Sequence, residues 1–545
     1  MTAGAKTGPA GSAPPSPGAG GRHRFAGTGA LLRLALRRDR LTTPLWVAVL
    51  GGSFSSVASS LTTLYPTAAE RSELAVSMTG NSSLRALYGP VFDDSVGGLV
   101  AWRMVGFGAA LAAVMSLLIV VRHTREEEET GRQEMLSCAV VGRSAPLTAA
   151  LLAAVVANAA LAVLIAAGLA GAGAGGPGAV ALALAVAGTG VLFACTAAVA
   201  AQLTENTRLA RGLTAAALGA AYVLKAAGDA ATDDASSPLT WLSPVGWAEN
   251  VRAYAAERWW VLLLLAAAAL AQAALAYTLA ARRDVGMSFL PSRPGPSSGR
   301  ISSAAGLALR LQRGALIGWT LSFAAVGTVF GSLADGAADL IGDNAQTQEI
   351  FRRMGGDAAI TDAFLAAMAG MLGMVAALYV VSSALRPHGE ETTGRAEPVL
   401  AGGVTRTAWA GGHLAVAFGG SALVLAAGGL GLAVGHGQRP AETLCGTLVQ
   451  LPAVWVLGGL TVLLYGAAPR LAAAAWAPAG ISLALGWIGP ALDLPRAVLN
   501  LSPFSHLPKL PGDAMSWPPV LLMSAGAAAL TAAGLAALRR RDLLS

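Results

Sequence analysis

A short acidic segment between two long apolar runs holds the residues of this sequence that are best placed for chemistry. It contains four consecutive glutamates, Glu126, Glu127, Glu128 and Glu129, in a stretch whose residues favour helix until Gly131. Carboxylates at this density on one helix suit docking to a basic, soluble partner. The alternative interpretation is a loop helix with a solvated acidic face.

The acidic segment occurs twice in the chain. Four residues of the first copy, Gly131, Arg132, Glu134 and Arg143, recur at one constant offset as Gly394, Arg395, Glu397 and Arg406. In the second copy Glu390 and Glu391 stand where the first has four glutamates, and two threonines follow them. One chain therefore contains two copies of one unit.

The composition is that of an integral membrane protein. Hydrophobic residues make up 54% of the 545 residues and charged residues 12%, whereas soluble domains have about 25% charged residues. Mean hydropathy is +0.59. Nearly all charges lie between apolar runs of about 18 to 28 residues, the length at which a helix crosses a bilayer. Since the sequence lacks the period-two alternation of barrel strands, we predict an all-α polytopic membrane protein.

The apolar runs predict about twelve transmembrane helices. They lie at residues 43–64, 98–121, 145–171, 178–202, 210–228, 258–281, 315–334, 362–385, 408–434, 442–468, 471–490 and 517–538. With the N-terminus inside, most of the 37 Lys and Arg residues fall in cytoplasmic segments, as the positive-inside rule requires. Six spans per half give two parallel, pseudo-symmetric six-helix halves. We therefore predict a plasma-membrane protein with both termini in the cytoplasm, and the net charge of +7 reflects this topology rather than nucleic-acid binding.

Four parts are predicted along the chain. Residues 1–28, rich in Gly, Pro, Ala and Ser, form a disordered cytoplasmic tail, 29–285 the first transmembrane half, 286–303 a cytoplasmic linker and 304–545 the second half.

A basic amphipathic helix on the membrane surface is predicted before the first span of each half, at Leu31–Arg40 and Leu307–Arg313. A basic run that merely anchors the first span is the alternative. The basic residues concerned are Arg33, Arg37, Arg40, Arg310 and Arg313.

The sequence lacks the motifs that are typical of several functional classes. No GxxxxGK[ST] motif is present, so the chain is predicted not to hydrolyse ATP and not to be an enzyme. Gly171, Gly173 and Gly176 match GxGxxG, but no strand precedes them. The histidines lack metal-ligand spacing, and the three cysteines are too scattered for a disulfide framework or a zinc site. No acidic residue lies in the middle of a predicted span, which argues against a proton relay. We expect no metal or cofactor on this chain.

Four stretches together resemble the permease subunits of ABC exporters, specifically the twelve-span actinobacterial permeases of polyketide-antibiotic exporters, the tetronasin-resistance type. They are REEEETGRQEML at Arg125–Leu136, LSPVGWAENVRAYAAERWW at Leu242–Trp260, LSPFSHLPKLPG at Leu501–Gly512 and the closing RRRD. The resemblance covers about residues 29–545.

The resemblance implies an exporter of hydrophobic or amphipathic small molecules in which two separately encoded ATPase subunits bind ATP and Mg. It also implies that the loop after the second span of each half is a coupling helix, and that the basic surface helices are elbow helices. The coupling role falls on Glu126, Glu127, Glu128, Glu129, Gly131, Arg132, Glu134, Glu390, Glu391, Gly394, Arg395 and Glu397. An ion-coupled secondary transporter, or a non-transporting membrane subunit, remains the alternative.

Overall fold

A computed structural model describes residues 24–80, 82–137, 141–232, 234–284, 287–290, 299, 301–334, 357–488 and 495–542. Most of the predicted tail at 1–28 and of the predicted linker at 286–303 lies outside these residues. The chain divides into two compact units, Met1–Pro294 and Gly295–Ser545. Regular secondary structure in the described residues is helical, apart from one isolated bridge between Thr204 and Leu290. The predicted all-α class is confirmed.

The first unit contains thirteen of the described helices. They are α1 (Thr28–Arg38), α2 (Thr42–Leu64), α3 (Ala68–Gly80), α4 (Ser82–Tyr88), α5 (Val96–His123), α6 (Arg125–Glu129), α7 (Arg132–Ser137), α8 (Ala145–Gly171), α9 (Pro177–Leu203), α10 (Thr207–Ala231), α11 (Pro238–Leu242), α12 (Pro244–Asn250) and α13 (Trp260–Arg282). Helix α9 is the centre of this unit, packed against α5, α8 and α13. Its buried face is largely alanine, which allows close helix contact without a cavity.

The second unit has its own core and its own helices. They are α14 (Ala304–Ser332), α15 (Asp357–Ala384), α16 (Arg386–Thr392), α17 (Ala396–Ala401), α18 (Arg406–His436), α19 (Pro440–Leu448), α20 (Leu451–Ala467), α21 (Trp476–Ile488), α22 (Arg496–Leu499) and α23 (Trp517–Arg540). Helix α14 packs along α18, and α20 along α23. A methyl group at Gly327 of α14 would overlap the carbonyl oxygen of Gly428 in α18, so glycine is needed at this crossing.

Ten stretches of the described residues are long and apolar enough to cross a membrane, and they coincide with ten of the predicted spans. The other two predicted spans differ in character. Helix α10 is 25 residues long but amphipathic, because Arg208, Arg211, Lys225 and Asp229 fall on one side of it. At 471–490 a 3₁₀ turn, Pro469–Ala475, precedes the 13-residue helix α21. The regular part of this segment is therefore shorter than the predicted span.

The basic surface helices differ between the units. In the first unit α1 ends at Arg38, and α2 begins only at Thr42. In the second unit Leu307–Arg313 is not a separate helix, because α14 continues without a break from Ala304 to Ser332. The prediction of a second separate surface helix is therefore wrong: the helix continues through Gly314, the residue after Arg313, into the apolar span.

Candidate functional site

Both acidic segments have the same local structure. Helix α5 is followed by the short helix α6, then by Gly131, then by α7. In the second unit α15 is followed by α16, Gly394 and α17. Gly131 and Gly394 both have a φ of 71°, a left-handed conformation that glycine adopts without a steric cost. The repeated glycine therefore makes the same turn between two short helices in each unit.

In each unit one glutamate of this segment binds the arginine that follows the last long helix. The two oxygens of Glu128 accept hydrogen bonds from Arg283 at 2.6 and 2.9 Å, and those of Glu391 accept from Arg541 at 2.7 and 2.8 Å. Both pairs are bidentate, the strongest geometry for a carboxylate and a guanidinium. Glu128 also pairs with Arg125, whereas Glu391 accepts a hydrogen bond of 2.8 Å from Tyr465.

A second arginine completes each arrangement. Arg143, just before α8, donates to the backbone oxygen of Arg283 at 2.6 Å, and Arg406, the first residue of α18, donates to that of Arg541 at 2.6 Å. We call Glu128, Arg283 and Arg143 the clamp of unit 1. Glu391, Arg541 and Arg406 are the clamp of unit 2. Each clamp joins the acidic segment to the end of the last helix and to the start of the third long helix of its unit.

The preceding glutamate in each copy closes the turn within its own segment. Glu127 accepts from Arg132 at 3.0 Å and pairs with Arg38 of α1. Glu390 accepts from Arg395 at 3.0 Å and pairs with Arg386 at 2.7 Å. Since Arg132 and Arg395 are equivalent in the repeat, the five-residue link across the glycine turn is duplicated as well.

Two further contacts occur in the first copy, where the second copy has Gly389 and Thr392. Glu126 pairs with Arg211 of α10 at 2.6 Å, and a carboxylate oxygen of Glu129 accepts from the backbone nitrogen of Thr207 at 3.0 Å. The four glutamates of the first copy are thus joined to α1, α10 and the end of α13.

Burial decides how much of each segment faces outward. Glu127, Glu390 and Glu391 are 7%, 5% and 3% exposed, so these carboxylates are inside the protein. Hydrogen bonding to Glu391 is the main cause that raises the pKa of Arg541 and keeps it charged. Glu134 on α7 and Glu397 on α17 are exposed. Of the other predicted coupling residues, Glu129, Gly394 and Arg395 are also exposed, whereas the clamp glutamates face inward.

The basic residues assigned to the surface helices are all exposed, namely Arg33, Arg37, Arg40, Arg310 and Arg313. The inward side of α1 holds the buried Ala35, and the helix packs against α8. This orientation suits contact with lipid headgroups on one side and with the protein on the other.

Two features of the structure were missed by the sequence analysis. In unit 2, a cavity of about 510 Å³ is lined by apolar and aromatic residues of α14 and α15, among them Trp319, Phe323, Phe330 and Leu372. In unit 1, Lys225, Asp229 and Glu249 form a buried ionisable cluster. The four-residue spacing of Lys225 and Asp229 on one helix was visible in the sequence, but the approach of Glu249 was not.

Comparison with known proteins gives a match along the whole chain. A family model described as "Multidrug efflux system permease Rv1217c, C-terminal domain" matches residues 301–539. The protein named "Multidrug efflux system permease protein Rv1217c", from Mycobacterium tuberculosis (strain ATCC 25618 / H37Rv), is 43% identical over 545 residues. The alignment covers 98% of this chain and 98% of that protein.

Proposed function

This chain belongs to the family of the multidrug efflux system permease Rv1217c, and we propose that it is the membrane-spanning permease of an ATP-driven exporter. In this proposal it is an ABC permease of the tetronasin-resistance type, embedded in the plasma membrane with both termini in the cytoplasm. Two copies of a separate ABC ATPase bind ATP and Mg and supply the energy. The substrates are hydrophobic or amphipathic small molecules, antibiotics among them.

The observation that carries this proposal is the repetition of one clamp in both units. An ATPase dimer offers two equivalent docking surfaces, and two equivalent segments of the permease would be needed to contact them. Helices α7 and α17 carry the exposed pair Glu134 and Glu397, which suit basic groups on such a partner. On the preceding short helices α6 and α16, the clamp glutamates fix each segment to the end of its last long helix.

This arrangement suggests how a movement of the partner would reach the membrane. A displacement of α7 would pass through the bidentate pair of Glu128 and Arg283 to α13, and a displacement of α17 would pass through Glu391 and Arg541 to α23. Charge-assisted bidentate pairs resist both separation and rotation, so they transmit direction as well as force. The clamp glutamates are then the internal part of the coupling device, and the exposed glutamates are its outer part.

The apolar cavity of unit 2 supports the substrate class. Its volume of about 510 Å³ lies in the range of small-molecule sites. Trp319 and Phe323, whose ring centroids are 5.9 Å apart, present aromatic surface to it. A cavity of this lining favours a hydrophobic molecule over a sugar or an ion.

A proton-coupled secondary transporter is the second candidate, because Lys225, Asp229 and Glu249 are ionisable groups buried in unit 1. Inside-out membrane vesicles that contain this chain and its ATPase separate the two candidates. We expect uptake of a fluorescent hydrophobic dye that requires ATP and continues when an uncoupler collapses the proton gradient.

The matched control is the same vesicles with an ATPase that cannot hydrolyse ATP. Dye uptake that persists with this ATPase and stops with the uncoupler would reject ATP-driven export in favour of proton coupling. If dye uptake requires ATP and is absent from vesicles without this chain, the transport pathway belongs to this chain.

A further inference from the structure

The buried cluster of unit 1 contains two carboxyl groups and one ammonium group. The Nζ of Lys225 lies 2.9 Å from Oδ2 of Asp229 and 3.1 Å from Oε2 of Glu249. The side chains of Lys225 and Asp229 are 0% exposed and that of Glu249 is 3% exposed. The other oxygen of Asp229 accepts from Thr240 at 2.8 Å. Each oxygen of Asp229 therefore has a partner, an ammonium group at one and a hydroxyl at the other.

Glu249 is not satisfied in the same way. Its Oε1 atom is buried without a hydrogen-bond donor, and it lies so close to Gly89 that a methyl group there would overlap it. A fully ionised cluster would carry one net negative charge in a site closed to water. A buried charge without compensation is strongly unfavourable, and such a group takes up a proton instead.

The other charged groups around the cluster are engaged elsewhere. Arg85 donates to the backbone oxygen of Asp229 at 3.3 Å, and Arg252 donates to that of Asp234 at 2.8 Å and lies over the ring of Phe92. On the helices packed against α12, the titratable side chains other than Lys225 and Asp229 are Arg103, Arg122, His123, Cys195, Arg208, Arg211, Tyr222, Tyr277 and Arg282. The charged groups that act on Glu249 are Lys225 and Asp229.

The segment that carries Glu249 has an unusual backbone. Helix α12 ends at Asn250, and Arg252, Tyr254 and Ala256 follow with φ values of 51°, 68° and 51°. Residues other than glycine avoid this region, and such conformations persist only where the surrounding structure enforces them. The stretch lies outside the ten apolar spans and near a cavity of about 900 Å³ lined by Arg85, Ala231 and Asp234.

We propose that Glu249 is a proton-binding site that is occupied while residues 244–260 are closed over the cluster, and that opening of this segment releases the proton to water. In the closed state the charged pair is Lys225 and Asp229, and Glu249 is neutral. In the open state Glu249 is hydrated and becomes a carboxylate. High pH on the side of the membrane to which the segment opens then favours the opening. This inference is independent of the ATP-driven export proposed above.

The direction of the titration agrees with this assignment. Burial raises the pKa of the Glu249 carboxyl to about 8, with Lys225 opposing the rise and Asp229 adding to it. In the unfolded chain the pKa of a glutamate is about 4.3. Between these values the folded protein binds more protons than the unfolded chain, so the contribution of Glu249 to stability falls as pH rises from about 4 to 8.

Infrared spectroscopy of the full chain in detergent micelles tests the proposal. We expect a carbonyl stretch of a protonated carboxylic acid at pH 6 that disappears by pH 9.5 in the wild-type protein and is missing at both pH values in Glu249→Gln. The matched control is Glu257→Gln, a nearby carboxyl on the same segment, which should keep the band. A band that persists in Glu249→Gln, or a wild-type protein without one, would overturn the assignment.

Hydrogen–deuterium exchange of residues 244–260 tests the link to opening. After correction for the intrinsic pH dependence of exchange, we expect protection of this segment to decrease several-fold between pH 6 and 9 in the wild type and in Glu257→Gln. In Glu249→Gln the protection should not change with pH. Equal pH dependence in all three proteins would show that the proton does not control the segment.

Discussion

The two acidic segments share a clamp but differ in what surrounds it. In unit 1, Glu128 has two arginine partners, and its neighbours bind Arg38, Arg211 and Thr207. In unit 2, Glu391 has Arg541 and the hydroxyl of Tyr465. The contacts found in both copies are those to the last long helix and across the glycine turn. These shared contacts hold both acidic segments in the same way, and the additional contacts of unit 1 fix its segment to α1 and α10.

This difference predicts that removal of the clamp arginine costs different amounts of stability in the two units. The Glu391 side chain is 1% exposed and the Glu128 side chain 13%, so removal of the arginine affects a more deeply buried carboxylate in unit 2 than in unit 1. Glu128 also keeps its pair with Arg125. Unit 1 should therefore tolerate damage to its clamp better than unit 2 does. Three substitutions, in order of decreasing expected effect, test this difference.

Arg541→Met should have the largest effect. Glu391, whose side chain is 1% exposed, would keep the hydroxyl of Tyr465 but lose its bidentate pair with Arg541, and breaking such a buried pair costs about 3 to 5 kcal/mol. Unfolding of the purified protein in mixed micelles measures this change. The double variant Arg541→Met with Glu391→Gln should recover much of the loss, because residue 391 then no longer carries a buried charge. A single variant as stable as the wild type would contradict the importance of this clamp.

Arg283→Met should have a smaller effect, about 1 to 3 kcal/mol, because Arg125 still compensates Glu128. Arg211→Ala, which removes a half-exposed partner of Glu126, serves as the control and should cost less than about 1 kcal/mol. The same micelle assay compares all three. A cost for Arg283→Met equal to that for Arg541→Met would show that the two clamps are equally vulnerable.

Glu134→Lys together with Glu397→Lys should leave stability nearly unchanged, because both residues are exposed. If these residues contact basic groups of an ATPase, co-purification of the ATPase should fall about tenfold, which corresponds to about 1.4 kcal/mol. The effect should weaken at high salt. Either single variant should give a smaller loss, since the two segments are equivalent.

Unchanged retention of the ATPase by the double lysine variant, at low and high salt, would remove support for docking through these helices. Reversal of all four glutamates at 126–129 is a less selective test. It would also break the contacts of Glu127 and Glu128 with Arg38, Arg132 and Arg283 inside the protein.

The sequence by itself determined the helical class, ten of the spans and the equivalence of the two acidic segments. Apolar length and repeated spacing are local properties, so they can be read along the chain. The same reasoning predicted a separate surface helix in the second unit, where the chain instead continues one helix. The first copy has Pro44 in the first turn of the new helix α2, a position that proline tolerates, whereas the second copy has no proline between Arg313 and Trp319.

Only the tertiary structure decided which charges meet. Glu128 and Arg283 are 155 residues apart, and Glu391 and Arg541 are 150 apart. The sequence showed these glutamates as an acidic face available to a partner or to water, and folding placed Glu128 and Glu391, and the preceding Glu127 and Glu390, inside. The position of Glu249 beside Lys225 was decided in the same way, because a charge pair depends on distance in space and burial, neither of which composition or spacing records.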